Sequence, residues 1–249
     1  MSAQQVLATP YLEAVERLAS SVHHHPALDN DFYKRWMAAP LPFPQVEVFA
    51  REFYARTVNT SVMVALSVLN TEDLAARVEC VKNLYSEYGN GDPAKAHLLL
   101  LEQFLTDLLT RLRGSTYTLE ELRAAGALPS TRAFSEGQRA LFTDPDQRVV
   151  QGALLGQEHL AYSMLVRLYE GVRNYKHLYG EDEFHEACEY FYVHIGEAEK
   201  EHKAEAVRSA AAVCRGEEDL ARVRHGFDGF LELTARYWNG VHEAMLAAS

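Results

Sequence analysis

The sequence predicts an all-α protein, one helical bundle spanning residues 1–249, and three observations carry that reading. Apolar residues recur at the 3.6-residue period of packed helices in one segment after another. Between the segments stand helix start and stop signals, Asp-Pro pairs and lone glycines, and no run alternates with the two-residue period of a strand. A chain of 249 residues, 48% of them apolar, can also bury one full core.

Residues 3–21 carry Leu7, Tyr11, Leu12, Val15, Leu18 and Ala19 at helical spacing and end near His23, His24 and His25. Three successive histidines point in different directions on any regular element, so this run is read as solvated and left out of the site. A short helix at Phe32 to Met37 and a rigid connector at Pro40, Pro42 and Pro44 follow. Residues 45–69 then read as one long helix on the stripe Val46, Phe49, Phe53, Val58, Val62, Ala65, Leu66 and Leu69. Asn70 and Thr71 before Glu72 and Asp73 read as the cap of a helix that runs to about Glu87. Gly89 and Gly91 stop it, and Asp92-Pro93 starts the helix that His97 opens and Gly114 ends.

Thr118 and Glu121 have capping-box spacing, for a short helix that Gly126 stops. The stretch Pro129 to Phe134 is expected to cross over to another short helix. Asp144-Pro145 opens a long helix to about Tyr175, on which Glu158 interrupts the stripe Val150, Leu154, Ala161, Leu165 and Leu168. Residues 183–212 read as a single helix, and residues 216–247 as a last one packed across the bundle through Leu220, Val223, Phe227, Phe230, Leu233, Tyr237 and Val241.

A net charge of −11 with interspersed signs argues against nucleic acid, whose binding requires a basic patch. No apolar run approaches a membrane span, and the N-terminus has no basic start, so a cytoplasmic protein is expected. Cys80, Cys188 and Cys214 are odd in number and fit no metal-knuckle spacing, which points to reduced thiols. Homodimerisation stays open.

The chemistry concentrates on helical core faces. At about 100° per residue, Phe184, Ala187, Cys188, Phe191, Ile195, Ala198 and His202 share one arc, with His194 and Glu199 on its shoulders. With Glu87, His97 and Glu158, this makes three carboxylates and three histidines facing a core. Burying such groups unpaired costs several kcal/mol, about ~2–7 for a neutral polar group and more for a charge. Mixed imidazole and carboxylate donors suit iron, manganese or zinc, and six of them suit two ions, with iron as the choice. A ferritin-type bundle is disfavoured, because only Glu199 and His202 have its Glu-x-x-His spacing, whereas Ala161 stands three residues after Glu158.

The order of these residues resembles the haem-oxygenase-like di-iron oxidases, a superfamily that also holds thiaminase-type and pyrroloquinoline-quinone-synthase-type proteins. Glu87 precedes a glycine-broken turn, His97 opens the next helix, Glu158 lies mid-helix, and His194 and His202 close the pattern. The match departs at one point: the step from His194 to His202 is one residue longer than the family's, and Ala198 stands where the family has an acid. Glu199 is the choice for that acid, about 140° from His194 on a regular helix and brought nearer by a π-bulge, with Glu197 and Glu201 as rivals. The resemblance implies a haem-oxygenase-like fold, two Fe(II) ions held by Glu87, His97, Glu158, His194, Glu199 and His202, and O2 as co-substrate. The ten-residue step from Glu87 to His97 resembles the branch that oxidises amino acids or amines, by N-oxygenation or oxidative cleavage, in specialised-metabolite biosynthesis. The alternatives are a fatty-acid decarboxylase of the same superfamily and a metal-free thiaminase- or quinone-cofactor-synthase-like relative. Tyr85, Tyr88, Tyr162, Tyr190 and Tyr192 are expected as packed donors around the ligands. Val150, Leu154, Leu165 and Phe191 are expected to exclude water, and Lys82, Arg167 and Arg208 are the candidate cations for a substrate carboxylate.

Overall fold

The structure is a computed structural model that describes residues 11–124, 126–195 and 197–248, with side chains described throughout except at 197–202. Its α-helices are α1 (Leu12–Ser20), α2 (Asp31–Ala38), α3 (Phe43–Thr57), α4 (Thr60–Leu69), α5 (Leu74–Glu87), α6 (His97–Arg113) and α7 (Leu119–Ala124). They continue as α8 (Pro129–Phe142), α9 (Gln147–Val172), α10 (Glu181–Ala187), α11 (Glu189–Ile195), α12 (Glu197–Ala212) and α13 (Glu217–Ala247). No strand occurs among the described residues, as the sequence predicts.

The bundle is organised on the crossing of α9 and α13, the most extensive helix contact among the described residues. Glycine permits that crossing: a Cβ on Gly152 would sit 1.9 Å from the Val223 carbonyl oxygen, and one on Gly226 would sit 2.0 Å from that of Val149. Around the crossing lies an aromatic core in which Phe32 stacks on Trp238 at 4.2 Å and Trp36 packs on Phe49 at 4.4 Å. Trp36 is fully buried, and its Nε1 donates to the Leu168 carbonyl at 2.9 Å, as a buried indole requires.

The helix termini obey the capping rules, though not always at the residue the sequence suggests. Asp73 caps α5 by accepting from the Ala76 amide at 2.9 Å, in place of Asn70 or Thr71. Asp146 caps α9 by accepting from the Arg148 amide, while Asp144 accepts from the Asp146 amide, so the Asp-Pro pair is the lead-in turn and not the cap. Pro129 to Phe134 is the first part of α8, with Pro129 at its start where no amide is needed. Thr118 and Glu121 form the expected capping box, each side chain accepting from the other's amide at 3.2 and 2.7 Å.

Two expected helices are broken. Residues 45–69 divide into α3 and α4 at Val58 and Asn59, and the break resets the phase of the stripe. Val46, Phe49 and Phe53 are buried, but Val62 and Leu69 are exposed and Met63, Val64 and Ser67 face inward in their place. Residues 183–212 break at Cys188, between α10 and α11. Phe184, Cys188 and Phe191 are nevertheless buried, because the turn keeps their side chains on the core.

Cys80, Cys188 and Cys214 are free and buried, and burial pushes the Cys188 thiol up to about 12 and the Cys214 thiol to about 11. Neither thiol is a thiolate at neutral pH. His23 and His24 are exposed on a short 3₁₀ turn. No helix among the described residues is long and apolar enough to cross a membrane.

Candidate metal centre

The turn after α5 builds the site. Gly89, Asn90 and Gly91 take φ of 69°, 54° and 94° in succession, a left-handed path that glycine and asparagine alone follow at low strain. A Cβ on Gly89 would lie 2.7 Å from the Lys95 carbonyl carbon, so the turn closes on itself and sets the end of α5 beside the start of α6. Glu87 and His97, ten residues apart in sequence, thereby come to 3.5 Å between Oε1 and Nδ1. The chain then brings α11 across α6. The His194 ring sits 4.3 Å from the His97 ring, centroid to centroid.

Glu87, His97 and His194 each offer a ligand atom, and these atoms all lie within 4.8 Å of one another. Two features fit this cluster to a metal. The His194 Nδ1 lies 2.6 Å from the Tyr190 carbonyl, which only accepts, so Nδ1 carries the proton and Nε2 presents its lone pair. Among the described residues the buried His97 Nδ1 makes no hydrogen bond, an unusual and costly state for an imidazole nitrogen. Two imidazoles and a carboxylate are donors that suit iron.

The cluster opens on a partly enclosed cavity of about 80 Å³ that Glu158 also lines. Glu158 is buried and accepts from the Asn83 amide at 2.9 Å and from Gln157 at 3.4 Å. Tyr190 lines the same cavity beneath His194, its ring 4.7 Å from the imidazole. Burial pushes the Tyr190 phenol well above its ordinary pKa, and the nearby Glu87 charge pushes it further the same way, so the hydroxyl stays protonated.

Four sequence-predicted site residues, Glu87, His97, Glu158 and His194, thus border one cavity. The side chains of Glu199 and His202, and of the rivals Glu197 and Glu201, lie outside the described residues; α12 carries all four positions. Of the tyrosines, only Tyr190 lines the cavity: Tyr85 and Tyr88 are exposed, Tyr162 packs under Lys203, and Tyr192 bonds to Tyr169. Of the four apolar residues expected to exclude water, Leu165 lines the cavity and Leu154 a smaller neighbouring space beside Glu158, whereas Val150 and Phe191 are core.

The predicted cations are elsewhere. Lys82 pairs with Glu79, Arg208 with Glu205, and Arg167 donates to the Ser163 carbonyl. The arginine in the cavity wall is Arg56, joined by Thr57, Asn83, Gln138 and Gln157, none of which the sequence reading selected. The signal was present. Arg56 continues the Val46, Phe49, Phe53 stripe, and Asn83 lies between Cys80 and Glu87 on the inner stripe of α5, as Glu158 interrupts its own stripe on α9.

Comparison with known proteins gives concordant findings. A family model described as an iron-containing redox enzyme matches residues 47–235. The 4-chloro-allylglycine synthase of Streptantibioticus cattleyicolor is 24% identical over 232 residues, 93% of this chain and 83% of that enzyme. Among solved structures, a CADD-like protein of unknown function from Nostoc punctiforme superposes with a TM-score of 0.73 at 17% identity, over 94% of this chain and 98% of its own. A TenA homologue from Pseudomonas syringae pv. tomato gives 0.74 at 13% identity, over 94% and 93%. A haem-oxygenase-like domain of unknown function from Shewanella denitrificans gives 0.64 at 15% identity, over 93% and 90%.

Proposed function

The chain belongs to the family of iron-containing redox enzymes, with a haem-oxygenase-like fold, and from that premise we propose that its cavity is a non-haem di-iron centre that uses O2 to oxidise a small amino acid or amine-bearing molecule. The observation that carries the reading is the convergence of Glu87, His97 and His194 to within 4.8 Å, with Glu158 on the same cavity. In this reading those three residues hold one ion, and Glu158 with Glu199 and His202 of α12 holds the second. Bound Fe(II) would supply the electrons and open coordination positions that O2 reduction requires.

The chain's own residues do the rest. The Tyr190 carbonyl fixes the His194 tautomer, and Asn83 holds the Glu158 carboxylate by one oxygen. Leu160, Met164, Leu165 and Phe230 close the cavity with apolar surface that keeps bulk water from the oxidant. Polar groups of the lining, Thr60, Ser86 and Gln138, suit a small polar substrate better than an alkyl chain, which would leave them without water. The relative from Streptantibioticus is named for an amino-acid product, which supports the same substrate class and a place in specialised metabolism.

The test is anaerobic Fe(II) reconstitution followed by metal analysis of wild type, Glu158→Ala and His202→Ala, then O2 uptake with a panel of amino acids, amines and fatty acids. About two irons per chain, loss of iron in both variants and O2 uptake triggered by an amino acid or amine are expected. A wild type that takes up no iron overturns the metal reading. Uptake triggered by fatty acids alone assigns the decarboxylase chemistry instead.

A further inference from the structure

Arg56 stands in the last turn of α3, buried, in the wall of the cavity that Glu87, His97 and His194 also line. A guanidinium presents five N–H donors and keeps its charge in a protein, so burying it without an anion is costly. Among the described residues it makes no ion pair and no hydrogen bond, and its Nε is buried without a partner. Glu52, one turn earlier on the same helix, is taken up by the Leu128 amide at 3.0 Å and by the Thr131 hydroxyl. Aromatic faces hold the guanidinium in place instead, Phe134 at 4.5 Å and Tyr237 at 5.5 Å from its central carbon to the ring centres. Thr57, the next residue, also lines the cavity, and its Oγ1 is buried without a partner.

The cavity wall therefore carries charges of both signs. Glu87 and Glu158 supply its carboxylates and Arg56 its cation, and the Tyr190 hydroxyl feels the charges of both Glu87 and Arg56. Burial pushes the Arg56 pKa down without removing its charge at neutral pH. We propose that Arg56 is the substrate-binding residue for a carboxylate, with the Thr57 hydroxyl as a second donor, so that a zwitterionic amino acid lies with its carboxylate on Arg56 and its remainder toward the Glu87, His97 and His194 cluster. A planar carboxylate matches the guanidinium fork, and its single charge is repelled less by Glu87 and Glu158 than that of a phosphate would be. The inference rests on the amino-acid oxidase reading, and it names the group that selects that substrate class.

The test is calorimetric titration and thermal melting of wild type, Arg56→Gln, Arg56→Lys and Thr57→Val, each metal-free and iron-loaded. The probes are acetate, glycine and L-norvaline, with L-norvalinamide and propylamine as controls that lack the carboxylate. The carboxylates bind wild type and raise its melting temperature by mass action. Arg56→Gln weakens them by about tenfold to a hundredfold, in line with loss of charge-assisted hydrogen bonds, while Arg56→Lys recovers part of the affinity and iron content stays at the wild-type level. Ligand-free Arg56→Gln melts no lower than wild type, since it loses an uncompensated buried charge. Binding that is undiminished in Arg56→Gln, amides that bind as well as acids, or a probe set that binds wild type no better than the variant overturns the proposal. If Arg56→Gln does not fold, Arg56→Lys and Thr57→Val decide, and full affinity in both overturns it. Arg56-dependent carboxylate binding in a protein that takes up no iron sinks the metal reading alone; iron uptake with Arg56-independent binding sinks this inference alone.

Discussion

Glu102 on α6 and Arg56 on α3 are both buried charges of the same bundle, and their surroundings treat them in opposite ways. Glu102 accepts from Arg123 at 2.5 Å and from the Tyr54 hydroxyl at 3.1 Å, and nearby Glu52 accepts from an amide and a threonine hydroxyl. At the cavity, Arg56 Nε, Thr57 Oγ1 and His97 Nδ1 are buried with no hydrogen-bond partner among the described residues. The first region shows that this fold satisfies a buried charge where the charge is structural. The second region is thus no product of loose packing, since Glu52, which is satisfied, lies on the same helix as Arg56, one turn before it. A bundle that leaves two donors and a ring nitrogen of one cavity without a hydrogen bond among the described residues is preorganised for groups that arrive from outside.

The contrast sharpens through substitutions in both regions. The largest effect is expected at Asn83, whose amide holds Glu158 at 2.9 Å. Asn83→Leu should lower iron affinity by about 10- to 100-fold, the usual cost of losing a partner that orients a ligand. Competition with a chelator measures it, and unchanged affinity would remove Glu158 from the site.

Two threonines then compare the regions directly. Thr131→Val deprives the buried Glu52 of a donor and should cost about 1–3 kcal/mol in urea unfolding, with iron binding intact. Thr57→Val removes a hydroxyl that bonds to nothing among the described residues and should stay within about 0.5 kcal/mol. Equal costs at both sites would erase the distinction between the regions.

The smallest effect concerns pH. The Asp146 carboxylate is held well below its ordinary pKa by hydrogen bonds from Arg148 and then Arg222, at the start of α9. A depressed folded pKa means that its contribution is full above the ordinary aspartate value of about 4 and fades as pH falls through the lower folded value. Wild type should exceed Asp146→Asn by about 1 kcal/mol or less at neutral pH, because the site is solvent-screened, and the gap should shrink below pH of about 4. Urea unfolding at pH 7 and pH 3 decides it, and a gap that widens in acid contradicts the assignment.

What the sequence determined alone follows from local physics. The helical periods, the capping box at Thr118 and Glu121, and the stop at Gly89 and Gly91 are encoded within a few residues, so they were legible without a partner element. Glu87, His97, Glu158 and His194 were legible because a polar residue on an apolar stripe must find a partner across the core. Tertiary structure decided the rest. The break at Val58 and Asn59 carries no glycine or proline, and the reset of the α4 stripe depends on what α5 and α8 pack against it. The same holds for Arg56: its place on the α3 stripe is visible in the sequence, but whether a buried arginine meets a glutamate or an open cavity is settled only when α8, α9 and α11 close around it. One turn away, Glu52 meets Thr131 of α8 and is satisfied, and Arg56 meets the cavity and is not.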